Sequence, residues 1–217
     1  MAIRYDDNKI LVAIDKFSKM TYDFLYWFYY NIKYRKIARK RAKILSRTSA
    51  YQNLSTTRIV TPAAGRYYDL SCIPDKVFAD KILGDGVAIE LHEPRIVSPV
   101  NGHIVTIAKT NHAYCIRDEN GADILIHIGI NTVKLEGMGF KNYVRAGQKV
   151  KKGTLLCRID INYIKSSGFS PDTAMIVTNM KYMEKFKVYP RDKQKALTYD
   201  VIAYKYGEPK SNIYPLP

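Results

Sequence analysis

Two histidines, His112 and His127, lie fifteen positions apart on either side of a predicted tight turn. The chain between them is rich in apolar and β-branched residues, and Asn120-Gly121 stands midway. Asn-Gly between such segments is the strongest short-range signal for a β-hairpin. If residues 119 and 120 form the loop, the two histidines are directly opposed; if residues 120 and 121 form it, they are diagonal neighbours about 7 to 8 Å apart. Either register predicts a pair of imidazoles.

A histidine pair on a rigid hairpin has three chemical uses. It can bind a metal ion, act as an acid and a base, or carry a phosphoryl group on one ring while the other ring assists. The alternative is a structural role, which is the commoner one for a single histidine. His127 is the harder of the two to explain in that way, because it interrupts the apolar run of residues 124–128. An unpartnered polar ring in such a strand would cost about 1 to 3 kcal/mol.

The composition is that of a globular protein, with 47% hydrophobic and 25% charged residues in a chain of 217. The formal net charge of +15 is unusual and is unevenly distributed. Residues 1–58 carry 13 Lys and Arg residues against four Asp residues. A chain of this length can bury one good core and still have residues left over. We therefore expect one domain with a basic extension.

The cysteines and the hydropathy pattern indicate a cytoplasmic protein. Cys72, Cys115 and Cys157 are odd in number, widely spaced, and match no disulfide or metal-binding spacing. No run of 18 apolar residues is present, and charged residues precede the first apolar segment, unlike a secretory signal.

Residues 1–47 are predicted to form a helical extension, and residues 48–58 a linker. From residue 10 to residue 47 there is no proline or glycine, and apolar residues recur at helical spacing. An aromatic cluster at residues 22–30 is followed by a run of cations, which is typical of a helix on an anionic membrane surface. Residues 16–47 are thus a candidate for peripheral association with the inner face of the membrane. A solvated basic helix is the alternative; nucleic-acid binding is not expected, because no recognised motif accompanies the charge.

Residues 59–217 are predicted to form a mainly β domain. Short segments rich in valine and isoleucine alternate with Gly, Pro, Asn and Asp, as in an antiparallel β sandwich or barrel. A Pro-x-x-Gly turn at residues 62–65 recurs at residues 99–102, and each copy opens a strand-like segment. This repetition predicts a domain built from a duplicated β motif.

Several ordered blocks of residues 59–207 resemble the glucose-type enzyme IIA family of the bacterial phosphoenolpyruvate-dependent sugar phosphotransferase system. The blocks that carry the resemblance are Asp75-Lys76-Val77-Phe78-Ala79-Asp80-Lys81-Ile82-Leu83-Gly84-Asp85-Gly86, Ser98-Pro99-Val100-Asn101-Gly102, Thr110-Asn111-His112-Ala113, Leu125-Ile126-His127-Ile128-Gly129-Ile130 and Thr178-Asn179-Met180. A set of motifs in one order is far more specific than any single motif.

The resemblance implies a role for each histidine. His127 matches the histidine that accepts a phosphoryl group from phospho-HPr and passes it to a cysteine of enzyme IIB. His112 matches the second active-site histidine, and Thr110 matches the hydroxyl that hydrogen-bonds to it. Neither a cofactor nor a metal is implied.

The resemblance also implies the partners, which are phospho-HPr and the IIB and IIC parts of a sugar permease. Asp75, Phe78 and Asn131 are the expected partner-binding residues. The chain departs from the family at two positions, with Asn131 and Lys181 where an acidic residue is usual. Both departures remove negative charge that favours the basic surface of HPr, so weaker electrostatic steering is expected.

Two other functions remain open on the sequence alone. The lost acidic residues would suit a regulatory or scaffold copy of enzyme IIA with reduced phosphotransfer. A zinc hydrolase on a similar β scaffold is the more distant alternative. A catalytic zinc site needs three protein ligands, and neither His92 nor His103 lies at a recognisable ligand spacing from the hairpin.

Overall fold

The computed structural model describes residues 56–190 and 196–207. The predicted extension of residues 1–47, including the basic segment 16–47, lies outside the described residues, and so does most of the predicted linker. The first strand begins at Thr57. No helix within the described ranges is long and apolar enough to cross a membrane.

The described chain is dominated by short β-strands. They are β1 (Thr57–Val60), β2 (Gly65–Asp69), β3 (Asp85–Leu91), β4 (Arg95–Val97), β5 (Gly102–Ile107), β6 (Ala113–Asp118), β7 (Asp123–His127), β8 (Phe140–Asn142), β9 (Lys149–Val150), β10 (Leu155–Ile159), β11 (Thr173–Val177), β12 (Met183–Val188) and β13 (Asp200–Tyr206). The helices are short: α1 (Lys76–Ala79), α2 (Ile161–Ser166) and 3-10 helices at Leu70–Cys72, Thr132–Leu135 and Met180–Tyr182.

The strands form one large sheet and two small ones. The large sheet has the order β2-β3-β11-β7-β6-β5-β9, and the small sheets have the orders β1-β13-β12 and β4-β10-β8. Every pair of neighbouring strands is antiparallel. The prediction of a mainly antiparallel β sandwich is confirmed.

The two Pro-x-x-Gly turns occupy equivalent places in this fold. One precedes β2 and the other precedes β5, near opposite edges of the large sheet. Their backbones also bond reciprocally: Val97 N–H donates to the carbonyl of Pro62 (2.8 Å), and Val60 N–H donates to the carbonyl of Pro99 (3.4 Å). The residue two positions before each turn thus bonds to the proline of the other turn.

The central strands β7 and β11 of the large sheet are buried on both faces. One face carries the main apolar core, to which the central strands contribute Tyr114, Ile116, Ile124, Ile126, Met175 and Val177. Because side chains alternate along a strand, the residues between these point to the second face. That second face holds His127, and the residues of β7 on both faces are all buried. His127 is therefore held by a strand fixed in place from both sides.

The hairpin of β6 and β7 has a different register from either predicted one. Ala113 pairs with His127, which leaves a three-residue loop, Glu119-Asn120-Gly121, between Asp118 and Ala122. Gly121 has φ 101, in the region that favours glycine, as expected where a three-residue hairpin loop ends. Both predicted two-residue loops are wrong, although the predicted hairpin and the histidine pair are confirmed.

The closed end of the hairpin is held by polar side chains of the hairpin itself and of distant parts of the chain. Arg117 makes a two-pronged ion pair with buried Asp123, with both N···O distances at 2.6 Å. Buried Asn179 donates to the carbonyl of Gly121 (2.8 Å) and accepts from the N–H of Asp123 (2.9 Å). The Tyr204 hydroxyl donates to Asp118. These contacts fix the loop length that the local sequence leaves open.

Candidate active site

His127 lies in a row of small side chains across the second face of the large sheet. Its direct partners are Ala113 on β6 and Ala174 on β11, and Ala174 in turn pairs with Ala88 on β3. Directly paired residues share a face, so Ala113 and Ala174 flank the imidazole in this row and Ala88 follows one strand further on. All three alanines are fully buried, so the side chains that flank His127 in this row are small and apolar.

His112 reaches the same face because the backbone bends just before β6. Regular pairing would place residue 112 opposite Ile128, whose N–H donates to the His112 carbonyl (2.7 Å), and would turn its side chain away from His127. The ladder instead begins at Ala113, and Asn111 has φ 56. The two imidazole centroids are 5.0 Å apart with an interplanar angle of 81°. The edge of one ring thus meets the face of the other.

Thr110 contacts the second histidine. Its Oγ1 lies 2.5 Å from Nδ1 of His112, and both residues are buried. Burial lowers the pKa of His112 to about 3, and the positive charge that His127 carries when protonated adds to this effect. His112 is therefore neutral at pH 7, and its Nδ1 is in hydrogen-bond contact with the hydroxyl of Thr110.

His127 is also neutral at pH 7. Burial lowers its pKa to about 4, and a polar contact with the backbone of Gly129, which falls outside standard hydrogen-bond geometry, raises it by less. Nδ1 of His127 is buried and makes no hydrogen bond of standard geometry with the described residues. A neutral imidazole keeps one nitrogen with a nucleophilic lone pair. In His127 this is accompanied by a loss of stability, because Nδ1 is buried without a standard hydrogen bond.

Helix α1 covers His127 on the second face. The ring of Phe78 lies 5.0 Å from that of His127, centroid to centroid, and Phe78 is buried. Asp75 caps the helix, accepting from Val77 N–H at 2.9 Å, and burial raises the pKa of its carboxyl group. Two of the predicted partner-binding residues thus belong to one short element beside the site; their contact with a partner stays a prediction.

The turn after His127 depends on two backbone conformations. Gly129 has φ 76, and a β-carbon there would lie 2.2 Å from Cγ2 of Thr132. Asn131 is exposed and has φ 59, a conformation that Asn and Asp tolerate better than other residues with a side chain. The asparagine at this position therefore suits the turn as well as the aspartate usual in the family.

Several residues of the site had no predicted role. The three alanines beside His127 carry no signal of their own, because their importance comes from pairing across strands. Gly129 carries a local signal, because glycine is the residue that most readily adopts a positive φ in a turn. Asn179 belongs to a motif of the family but lies outside the site, at the closed end of the hairpin.

In the ranges that the structure describes, no group of three or more His, Cys, Asp or Glu side chains is arranged to hold a metal ion. The histidine pair therefore has no third ligand of these types in that part of the chain.

Comparisons with known proteins agree with this architecture. Residues 57–183 match the family described as phosphoenolpyruvate-dependent sugar phosphotransferase system, EIIA 1. The glucose-specific EIIA component of Bacillus cereus is 43% identical over 129 residues, which are 59% of this chain and 78% of that protein. The glucosamine-specific EIICBA component of Bacillus subtilis is 44% identical over 125 residues, 58% of this chain and 20% of that protein.

A solved structure, glucose permease IIA from Mycoplasma capricolum, superposes with a TM-score of 0.65 at 30% sequence identity, covering 69% of this chain and 96% of that one. The β sandwich and the matched sequence define a phosphotransferase component of bacterial sugar transport. Within that class, the chain belongs to the glucose-type enzyme IIA family.

Proposed function

We propose that this domain accepts a phosphoryl group from phospho-HPr on His127 and passes it to a cysteine of enzyme IIB. The observation that carries the proposal is the pair of buried, neutral imidazoles, 5.0 Å apart, at the open end of a rigid hairpin. Membership of the family supports the donor and the acceptor. The fused EIICBA protein of Bacillus subtilis supports a partnership with the B and C parts of a permease.

Nε2 of His127 is the proposed nucleophile, because Nδ1 is buried inside the domain. In the first transfer the Nε2 lone pair forms a bond to phosphorus while the bond from phosphorus to the donor breaks. In the second transfer a thiolate of enzyme IIB attacks the same phosphorus, and the bonding pair returns to Nε2. Such transfers depend mostly on positioning and on stabilising the phosphoryl charge. The strand that carries His127 is buried on both faces and provides the positioning.

His112 is proposed to stabilise the charge of the phosphoryl group during transfer. If the Thr110 hydroxyl donates to Nδ1 of His112, the ring proton resides on Nε2, and Nε2 becomes the hydrogen-bond donor of the ring. A donor beside His127 stabilises charge on the phosphoryl oxygens. Thr110 is thus proposed to select the tautomer of His112.

Asp75, Phe78 and Asn131 are proposed to form the partner-binding face, with Asp75 and Asn131 at its surface and buried Phe78 packed beneath it. Asp75 and Phe78 belong to the α1 region against His127, and exposed Asn131 lies in the turn after it. HPr and enzyme IIB must each bring a reacting atom to His127, so both need this face. We place the reaction in the cytoplasm, since the cysteine pattern fits a reducing compartment.

Phosphoryl labelling tests the main proposal. The full chain is incubated with labelled phosphoenolpyruvate, enzyme I and HPr, and the protein is assayed for acid-labile, base-stable phosphate. We expect label on the wild type and on the His92→Gln control, which changes an exposed histidine, and none on His127→Ala. His112→Gln should accept label but pass it to enzyme IIB poorly.

Two results would contradict these assignments. No label on the folded wild type would overturn the carrier function and favour the regulatory or scaffold alternative. Equal defects of His112→Gln in both transfers would contradict the division of labour between the rings.

We propose further that residues 16–47 hold the carrier near a membrane-embedded partner, which would raise the effective concentration of one for the other. The support is sequence composition alone, aromatic residues followed by cations. Sedimentation of the full chain with anionic vesicles at physiological salt tests it. Binding that survives deletion of residues 1–47 would overturn it.

A further inference from the structure

Three basic side chains lie in one row across the small sheet β4-β10-β8. Arg158 on β10 pairs directly with Arg95 on β4 and with Lys141 on β8. Directly paired residues share a face of the sheet, and all three side chains are exposed. Like charges opposite each other on neighbouring strands are destabilising. The row is therefore a local cost to the fold.

In the part of the chain that the structure describes, none of these three cations forms an ion pair. The ion pairs found there use other cations: Arg58, Arg66, Lys81, Arg117 and Lys205. The ammonium of Lys141 lies 5.7 Å from the ring centroid of Tyr143, a cation–π contact that leaves the charge uncompensated. The row thus presents three cations to solvent.

Arg158 also lines an open cavity of about 720 Å³ bounded by the turn between β3 and β4, the end of β10, and α2. Lys165 brings a second cation, and His92 and Asn162 bring further polar groups. Asp160, the acidic residue that lines the cavity, caps α2, because its Oδ1 accepts a hydrogen bond from Tyr163 N–H at 2.9 Å. The remaining wall is apolar and includes Leu91, Pro94 and Ile161. The volume lies in the range of about 300 to 1,000 Å³ typical of small-molecule pockets.

We propose that this cavity binds a small soluble phosphate ester. The guanidinium of Arg158 would hold the phosphate through two parallel hydrogen bonds, and Lys165 would add a point charge. Asn162 and His92 can donate to the remaining oxygens, and the apolar wall suits the organic part of the ester. Arg95 and Lys141 flank Arg158 and raise the local potential. A dianion matches this excess of cations better than a single carboxylate does.

The proposal is independent of the histidine site. None of the residues that line the cavity is among those placed beside His112 or His127. A substitution in the cavity can therefore be judged separately from phosphoryl acceptance. Anionic lipid headgroups carry the same phosphate chemistry, so the test must distinguish a soluble ester from a membrane surface.

Calorimetric titration of the full chain with glycerol 3-phosphate at low salt is the first measurement. We expect saturable binding to the wild type and at least about tenfold weaker binding to Arg158→Gln, because a two-pronged, charge-assisted contact is lost. Arg145→Gln, which removes an exposed arginine outside the cavity, is the matched control and should bind like the wild type.

Thermal unfolding gives a second readout. Glycerol 3-phosphate should raise the Tm of the wild type but not of Arg158→Gln, since a ligand stabilises only the state that binds it. Without ligand at low salt, Arg158→Gln should be at least as stable as the wild type, because the repulsion in the row is relieved. Labelling of His127 should be the same in both proteins.

Three results would overturn the proposal. One is equal binding of glycerol 3-phosphate by Arg158→Gln and the wild type; another is equal weakening in Arg158→Gln and Arg145→Gln, which would show a general charge effect. The third is binding to phosphatidylglycerol vesicles that depends on Arg158 without any binding of the soluble ester, which would assign the cations to a lipid surface.

Discussion

The two ends of the hairpin formed by β6 and β7 bury polar side chains in opposite ways. At the closed end, Arg117 pairs with Asp123, and the hydroxyl of Tyr204 donates to Asp118. At the open end, Nδ1 of His127 is buried without a hydrogen bond of standard geometry to the described residues. Burial at this end lowers the pKa of His127 to about 4 and that of His112 to about 3, so both rings stay neutral at pH 7. The same strands hold both ends.

The difference between the ends separates structure from function. A charged or polar group that is fully paired stabilises its surroundings and has no capacity left for a ligand. A buried imidazole that is kept neutral gives up stability, and in return it keeps a lone pair that an incoming phosphorus atom can use. Substitutions at the closed end should therefore lower the stability and leave phosphoryl transfer intact. Substitutions at the open end should impair phosphoryl transfer without lowering the stability.

Asp123→Ala is expected to cause the largest loss of stability. Removing the carboxylate leaves the guanidinium of Arg117 partly buried without its partner, and breaking such a pair costs about 3 kcal/mol. Urea unfolding would measure the loss. Glu90→Ala, which breaks the exposed pair with Arg66, is the control and should cost less than about 1 kcal/mol. The labelling of His127 in folded Asp123→Ala should match the wild type; a loss of labelling would end the proposed separation of the two ends.

The pH dependence of stability is expected to come from the open end. The folded pKa of His127, about 4, lies below the value of 6.5 for an unperturbed histidine. The unfolded chain therefore binds more protons between these values, and stability is complete above pH 6.5 and falls as the pH drops towards 4. Each such histidine contributes a loss of about 2 kcal/mol between pH 7 and pH 5.

Urea unfolding of His127→Gln at pH 7 and pH 5 measures that contribution. The fall in stability should be smaller than in the wild type by about 2 kcal/mol. If the stability of His127→Gln falls between pH 7 and pH 5 as much as that of the wild type, burial does not lower the pKa of His127 as expected.

Thr110→Val tests whether the hydroxyl selects the tautomer of His112. Without the 2.5 Å contact to Nδ1, the Nε2 proton is no longer favoured, and the second transfer to enzyme IIB should slow about tenfold, or about 1.4 kcal/mol in the barrier. Rapid-quench measurement of transfer from the labelled protein gives the rate. Thr110→Ser keeps the hydroxyl and should restore most of it. If the serine variant is as slow as the valine variant, the threonine acts through packing.

The sequence predicted the hairpin and the pairing of its histidines because both depend on local signals. Asn120-Gly121 marks the loop, and the alternation of apolar residues marks the strands. The register was missed because contacts far along the chain decide it. Asn179 bonds to Gly121 and Tyr204 bonds to Asp118, and both partners lie more than fifty residues away.

The site was predicted from chemistry and resemblance, and its surroundings were not. Thr110, His112 and His127 could be named because their types and motifs stand out. The bend at Asn111 could not be seen, since one residue with positive φ carries no strong pattern. The row of Ala113, Ala174 and Ala88 beside His127 exists only through strand pairing across the sheet. Alanine has no chemistry of its own to draw attention to it.

The smallest expected effect concerns the surface of the open end. Asn131→Asp restores the acidic residue usual in the family at an exposed position with φ 59, which both residue types tolerate. Stability should change by less than about 0.5 kcal/mol. Phospho-HPr should associate about threefold faster at low salt, because an added negative charge attracts a basic partner and the gain is screened by salt.

Gln148→Glu is the matched control for Asn131→Asp, since it adds the same charge beside β9. Stopped-flow labelling at two salt concentrations compares the two variants. Acceleration by Asn131→Asp alone would place the docking face at the open end. Equal acceleration by both would mean that HPr responds to the net charge of this basic domain. The open end would then differ from the closed end in its chemistry, but not as a docking site for HPr.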